Sequence, residues 1–300
     1  MSGTFAAPGE AVPRPTKLAV LPVIRAALLE DLGPGDITSD YTVPAATRAE
    51  GWFIAKAAGV LAGLWVSEIV FAELSPEIKF VALAAEGSDV RPGDRLAQVS
   101  GPAVAILGGE RVALNFLQRI SGIATMARAA SAAVAGTGLR VLDTRKTTPG
   151  LRILEKYAVR AGGASNHRAG LFDMVLIKDN HIRLAGGIGP AVAAVRRGAT
   201  PMVRIEVEAA DLVEVEEALA ARADIIMLDN MDQATMERAV KLIGGRALVE
   251  ASGGITLADL PRVAGLGVDF VSLGALTHSF KALDISLELD LPESPRGGRD

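Results

Sequence analysis

A rhythm in the second half of the chain constrains it most. After Gly138, short apolar runs fall at Val141–Leu142, Met174–Ile177, Met202–Val207, Ile225–Leu228, Ala247–Val249 and Phe270–Leu273, and the last five begin 28, 23, 22 and 23 residues apart. That is the length of a strand plus a helix. The segments between the runs carry helical spacing, so the pattern predicts a parallel α/β sheet. Right-handed crossovers leave two architectures open, a doubly wound open sheet and a barrel. An eight-fold barrel takes about 250 residues, so a barrel here is a reduced one.

The first half reads differently. Leu18, Leu21, Ile24, Leu28 and Leu29 recur at helical spacing until Gly33-Pro34-Gly35 ends the pattern. Runs such as Gly51–Ala57, Ile78–Leu83 and Arg95–Val99, punctuated by Gly and Pro, predict a small antiparallel sheet. From Ala105 to Ala135 the apolar positions Leu107, Leu114, Leu117, Ile120, Ile123 and Val134 predict a long helix, bent near Gly122, that bridges two domains. Three hundred residues suit about two domains. The expected boundaries are an N-terminal domain at 18–137, an α/β domain at 138–290, and flexible tails at 1–17 and 292–300.

Half the residues are apolar and 22% are charged, the composition of a globular protein. Zero cysteines remove disulfides, thiolate metal sites and thiol nucleophiles, and make the cytoplasm the default compartment. A net charge of −4 lacks the basic footprint of a nucleic-acid binder, and no apolar run reaches the roughly 18 residues of a membrane span. Any anion site must be local.

In a parallel α/β domain the reacting groups gather at the carboxyl ends of the strands. Each run here ends in polar or glycine residues: Asp143-Thr144-Arg145-Lys146, Lys178-Asp179-Asn180-His181, Glu208, Asp229-Asn230, Ser252-Gly253-Gly254 and Gly274. Singly these have plain readings, since Asp229 or Asn230 could cap the next helix and Gly253-Gly254 could make a turn. All six together favour a site. Arg204, Glu206 and Glu208 share one face of their strand, where a polar cavity accounts for charge that a covered strand does not.

Between Arg140 and Arg183 nine Lys and Arg face four acids. Arg152, Lys156 and Arg160 beside Glu155 read as a solvated helix face, whereas Arg145, Lys146, His167, Arg168 and Lys178 converge as an anion pocket. Ser252-Gly253-Gly254 and Leu273-Gly274-Ala275 offer main-chain N–H groups at helix starts, a usual place for phosphate. Nucleotide-hydrolase, Rossmann, zinc-protease and serine-hydrolase fingerprints are missing. His167, His181 and His278 are not spaced for zinc; His167 reads as an anion or proton partner and His278 as a packed or loop residue.

The segments Asp143-Thr144-Arg145-Lys146-Thr147-Thr148-Pro149-Gly150, Asn166-His167-Arg168-Ala169-Gly170-Leu171 and Ile177-Lys178-Asp179-Asn180-His181 closely resemble the quinolinate phosphoribosyltransferase family. So do Glu30-Asp31-Leu32, Gly35-Asp36-Ile37-Thr38, Arg111-Val112-Ala113-Leu114-Asn115, Ser121-Gly122-Ile123-Ala124-Thr125, Glu250-Ala251-Ser252-Gly253-Gly254-Ile255 and Ser272-Leu273-Gly274. The likeness runs from about 18 to 285.

The resemblance implies an N-terminal α/β sandwich plus an incomplete α/β barrel, assembled at least as a homodimer. It implies a Mg²⁺-dependent enzyme that joins quinolinate to 5-phosphoribosyl 1-pyrophosphate, giving nicotinate mononucleotide, pyrophosphate and CO₂ in NAD biosynthesis. By resemblance, Thr144 binds substrate; Arg145, His167, Arg168 and Lys178 hold the two carboxylates of quinolinate, with Arg111 from the neighbouring subunit; and Lys146 lies near the pyrophosphate. Glu208 and Asp229 bind Mg²⁺ and the ribose. Ser252, Gly253, Gly254, Ser272, Leu273 and Gly274 take the 5-phosphate. The alternatives are a molybdenum-linked paralogue of the same fold and a non-catalytic anion-binding barrel.

Overall fold

The computed structural model describes residues 12–290. The tails expected at 1–17 and 292–300 lie largely outside these residues; within them, Lys17 already opens the first helix. In chain order the elements are α1 (Lys17–Leu32), α2 (Ile37–Thr42), β1 (Arg48–Ala55), β2 (Gly59–Val60), α3 (Leu64–Leu74), β3 (Lys79–Ala82), β4 (Asp89–Val90), β5 (Arg95–Pro102) and α4 (Ala103–Ala133). There follow β6 (Arg140–Leu142), α5 (Arg152–Ala161), β7 (Val175–Ile177), α6 (Asp179–Ala185), α7 (Ile188–Gly198), β8 (Ile205–Ala209), α8 (Leu212–Ala220), β9 (Ile225–Asp229) and α9 (Gln233–Ile243). The chain closes with β10 (Leu248–Ser252), α10 (Leu260–Ala264), β11 (Phe270–Ser272), α11 (Ala275–His278) and β12 (Ile285–Asp290).

These elements form two units. The first takes the described residues up to Arg128, Pro149–Gly163, and the described residues from Phe280 onward; the second takes Ala129–Thr148 and Ala164–Ser279. The boundary therefore falls inside α4. It also departs from a continuous domain at 138–290, because α5 clusters with the first unit.

In the first unit, β12, β1, β5 and β3 form an antiparallel sheet in that order. Gly51, Phe53 and Ala55 alternate inward along β1, as a sheet with one buried face requires. Phe71 of α3 packs edge-on to Phe53 and stacks on Phe80, with ring centroids 6.1 Å apart in each case. Helix α5 is buried rather than solvated, correcting the reading of Arg152, Lys156 and Arg160 as a wet face. Glu155 is 1% exposed and its Oε1 accepts from Arg119 Nε at 3.1 Å and Nη2 at 2.6 Å. Arg160 donates to the Pro13 carbonyl, and Lys156 is buried. Charge at helical spacing does not reveal whether its partners lie elsewhere in the chain.

Gly122 of α4 serves a close approach. The main chain at Lys281–Ala282 crosses the helix there, and a methyl group on Gly122 would collide with the Lys281 carbonyl oxygen. Alanine gains about 1 kcal/mol in helix propensity, but overpacking against rigid main chain costs about 1–3 kcal/mol. Gly122→Ala is therefore expected to lower the Tm; an unchanged or higher Tm would show that the crossing segment moves aside.

In the second unit the strand order is β6-β11-β10-β9-β8-β7, all parallel. Read as a circle, this is simple chain order, with every neighbour paired except β6 and β7. A doubly wound sheet reverses direction partway; this one never does, so it is the reduced barrel. Ser165 fills part of the open seam, bridging in parallel to Leu142. Strands β8 and β9 are buried on both faces, and α7, α8 and α9 cover the outside with one apolar stripe each, such as Met236, Ala239 and Ile243.

Candidate active site

The carboxyl ends of β6, β7, β9, β10 and β11 line a cavity of about 600 Å³. Its wall is cationic where Arg145, Lys146, Arg168 and Lys178 line it, and Thr144 and His167 stand among them. Asp229 lines it from β9. Ser252, Gly253, Gly254, Ser272 and Gly274 complete the rim on the β10 and β11 side, where the Ser272 hydroxyl donates to Ser252 Oγ at 3.0 Å.

Three sequence-predicted residues lie off this lining. Glu208 sits just behind it, its carboxylate paired with the Lys178 ammonium. Leu273 is buried at 2% exposure. Arg111 is exposed on α4, in the first unit.

Local chemistry explains how the loops are aimed. Asp143 is fully buried at the end of β6, and its two oxygens accept from the His167 main-chain N–H at 2.8 Å and from Asn166 Nδ2 at 2.6 Å. One carboxylate thus fixes the segment that enters the seam. The cap reading of Asp229 fails, because Asp232 caps α9 by accepting from Thr235 N–H at 2.8 Å. Asp229 instead accepts from Asn230 Nδ2, and Asn230 adopts φ 52°. Gly253, at φ 92°, is required to be glycine: a Cβ there would strike the Asn230 side chain.

Two expectations change. Ser252-Gly253-Gly254 does not open a helix, since Thr256 caps the short 3₁₀ turn Leu257–Asp259 that follows; Gly274 does precede α11 directly. His278, read as a packed or loop residue, is exposed at the end of α11 and lines the cavity, as do Asn230 and Thr256.

The electrostatics favour a polyanion. Arg168 is 9% exposed, and burial together with the neighbouring Arg145 guanidinium holds it below the usual arginine range. Two guanidiniums held together in a partly dry site repel each other, and an anion between them relieves that repulsion. Arg168 Nη1 donates to the Met174 carbonyl at 3.2 Å, which sets the direction of its fork.

Beneath the cations lie two acids: Glu206, which the sequence placed on a strand face toward a polar cavity, and Glu250, which it did not single out. Glu206, on β8, is fully buried, and Glu250, on β10, is 1% exposed. Of the charged face expected on this strand, Arg204 is exposed and precedes β8, so only Glu206 and Glu208 point inward. His167 Nε2 lies 3.1 Å from Glu206 Oε2 and 3.5 Å from Glu250 Oε2. Its Nδ1 accepts the Arg168 main-chain N–H at 2.7 Å, so the ring hydrogen resides on Nε2. Burial pushes Glu206 up to about 7, and burial plus the adjacent Glu206 pushes Glu250 up to about 8.

These three side chains have the composition of a metal site, their ligand atoms lying within 4.8 Å of one another. With Nδ1 occupied by a main-chain donor and Nε2 carrying the hydrogen, however, the imidazole offers a cation no lone pair. The trio is suited to hold a proton. Hard-cation donors are found instead at Glu208 and Asp229, carboxylates on adjacent strands; Glu208 is level with Met227, and Asp229 lies two residues farther along the same face.

Comparison with known proteins identifies the family and the fold. Residues 36–121 match the model of the quinolinate phosphoribosyl transferase N-terminal domain, and residues 123–288 that of its C-terminal domain. The chain belongs to the quinolinate phosphoribosyltransferase family. Relatives in the family include a probable nicotinate-nucleotide pyrophosphorylase [carboxylating] of Bacillus subtilis (strain 168), 46% identical over 263 residues, covering 88% of this chain and 91% of that protein. A quinolinate phosphoribosyltransferase [decarboxylating] of Nicotiana tabacum is 43% identical, covering 92% and 84%. The crystal structure of NadC from Streptococcus pyogenes superposes with a TM-score of 0.89 at 42% identity, over 93% of this chain and 99% of that one. The nicotinate-nucleotide pyrophosphorylase of Francisella tularensis does so at 0.88 and 37% identity, over 94% and 99%.

Proposed function

We infer that this chain transfers phosphoribosyl from 5-phosphoribosyl 1-pyrophosphate to quinolinate with loss of CO₂, giving nicotinate mononucleotide and pyrophosphate for NAD biosynthesis. The observation that carries this reading is the convergence of Arg145, Lys146, Arg168 and Lys178 on one cavity with Asp229. Both substrates are polyanions, and the reaction needs a negative charge opposite the carbon that becomes cationic.

In this reading Arg145, Arg168 and Lys178 grip the quinolinate carboxylates. Thr144 and His167 shape the same wall; His167, expected to hold a quinolinate carboxylate, instead turns Nδ1 to the Arg168 N–H and Nε2 to Glu206 and Glu250, and Arg111 of a neighbouring subunit completes the wall in a homodimer. Lys146 faces the pyrophosphate, and Ser252 to Gly254 with Ser272 to Gly274 hold the 5-phosphate. The quinolinate nitrogen attacks the anomeric carbon as pyrophosphate leaves. Glu208 and Asp229 face the charge that develops there, so positioning and fixed charge supply the rate and no enzyme nucleophile is needed.

Glu208 and Asp229 also fit Mg²⁺, whose preference is for a few carboxylate oxygens together with phosphate oxygens and water. When bound, Mg²⁺ would neutralise charge on the departing pyrophosphate. Among the described residues no helix is long and apolar enough to cross a membrane. We place the enzyme in the cytoplasm on its cysteine-free composition.

Two rival readings lose support. A non-catalytic barrel needs Asp229 to be a cap, and Asp232 has that role. The molybdenum-linked paralogue loses support because the curated relatives, at 46% and 43% identity, carry the names nicotinate-nucleotide pyrophosphorylase [carboxylating] and quinolinate phosphoribosyltransferase [decarboxylating]. The deciding assay supplies purified protein with quinolinate, 5-phosphoribosyl 1-pyrophosphate and Mg²⁺, and follows pyrophosphate, CO₂ and nicotinate mononucleotide. All three are expected in equal amounts; saturable binding without turnover would refute the assignment.

A further inference from the structure

Loss of CO₂ leaves an electron pair on ring carbon C2, and the reaction ends only when that carbon takes a proton. The source of this proton is a separate question from substrate binding. It has to be an acid inside the cavity that still carries its hydrogen at neutral pH and is not engaged as a counter-ion.

The cations fit this task poorly. The Lys178 ammonium is paired with Glu208, and the Arg168 guanidinium is held by the Met174 carbonyl. The imidazole of His167 turns both nitrogens to protein groups, Nδ1 to the Arg168 N–H and Nε2 to the buried carboxylates. Asp229 is partly exposed, and one of its carboxylate oxygens accepts from Asn230 Nδ2.

Glu250 differs from all of these. It lines the cavity while only 1% exposed, and among the described residues its Oε1 has no hydrogen-bond partner. It stands two residues before Ser252 on β10, on the same face and one step deeper than the phosphate rim. The groups facing it are Glu206 from β8, His167 from the seam segment and Ser272 from β11. An unpaired buried carboxylate is costly, whereas the neutral acid is not.

We propose that Glu250 is the acid that protonates C2. The bond from C2 to its carboxylate breaks and CO₂ departs with the electron pair left on C2. That pair then takes the hydrogen from the Glu250 carboxyl, leaving a carboxylate that regains a proton from water after the product leaves. One proton enters per turnover, which balances the reaction. Glu206 and His167 are positioning residues: they pack around Glu250, His167 Nε2 lying 3.5 Å from its Oε2. The elevation of Glu250 to about 8 agrees with this role.

The proposal rests on the quinolinate reading of the cavity, and single-turnover kinetics separates the two. Pyrophosphate and nicotinate mononucleotide are followed independently by quenched flow. In Glu250→Gln, pyrophosphate release is expected to change little, while nicotinate mononucleotide appears about 10²-fold more slowly, the usual contribution of a general acid, and ribosylated quinolinate accumulates. Equal slowing of both steps, or of neither, overturns the proposal. Wild-type protein that makes neither product would instead refute the reading itself. Should the Gln variant fail to fold, the wild-type pH profile decides: the step after pyrophosphate release should slow as pH rises past about 8, with pyrophosphate release unaffected. A pH-independent second step overturns the proposal equally.

Discussion

Asp229→Asn is expected to lower turnover by about 10²–10³-fold, the size of effect seen when one fixed charge or dipole facing a transition state is removed. Asparagine keeps the shape and can still contact Asn230, so the strand end is preserved. What disappears is a negative charge at the mouth of the barrel, which in the proposed reaction faces the anomeric carbon as it becomes electron-poor. Because that charge acts mainly in the transition state, kcat falls much more than quinolinate affinity. A wild-type rate in Asp229→Asn would reduce Asp229 to a surface residue.

Arg168→Ala is expected to weaken quinolinate binding by roughly two orders of magnitude, as removal of one partner of a buried charge pair costs about 2–5 kcal/mol. Titration calorimetry with quinolinate reads this directly. The fold should survive, since Arg168 contributes one hydrogen bond to the Met174 carbonyl and relieves repulsion on Arg145 when it is lost. Arg168→Lys should restore only part of the affinity, because a point charge cannot reproduce a planar fork against a carboxylate. Unchanged affinity in Arg168→Ala would remove this residue from the site.

The barrel was legible because a strand and a helix of fixed combined length repeat, and burial on both faces writes each strand as an apolar run. The expected runs at Ile225–Leu228 and Phe270–Leu273 match β9 and β11 to within a residue. The polar strand ends were legible for the same reason: residues past the end of a run have no core to enter.

What escaped the sequence depends on distance in the chain. Glu206 and Glu250 each sit inside a largely apolar strand, and their meeting with His167 follows from barrel closure. An acid interrupting a buried run, between Ile205 and Val207 or between Val249 and Ala251, was the available signal. The destination of α5 escaped for a related reason, since Glu155 finds Arg119 on a helix that precedes it by one strand.

The seam between β6 and β7 bears on solution behaviour. A ring left open has two margins whose amide and carbonyl groups can template another chain. Here each margin is a strand of three residues, Arg140–Leu142 and Val175–Ile177, and Ser165 covers part of the first. Such short stubs give a foreign strand too little length to zip onto, so the molecule keeps an entrance for its seam segment without inviting fibrillar growth.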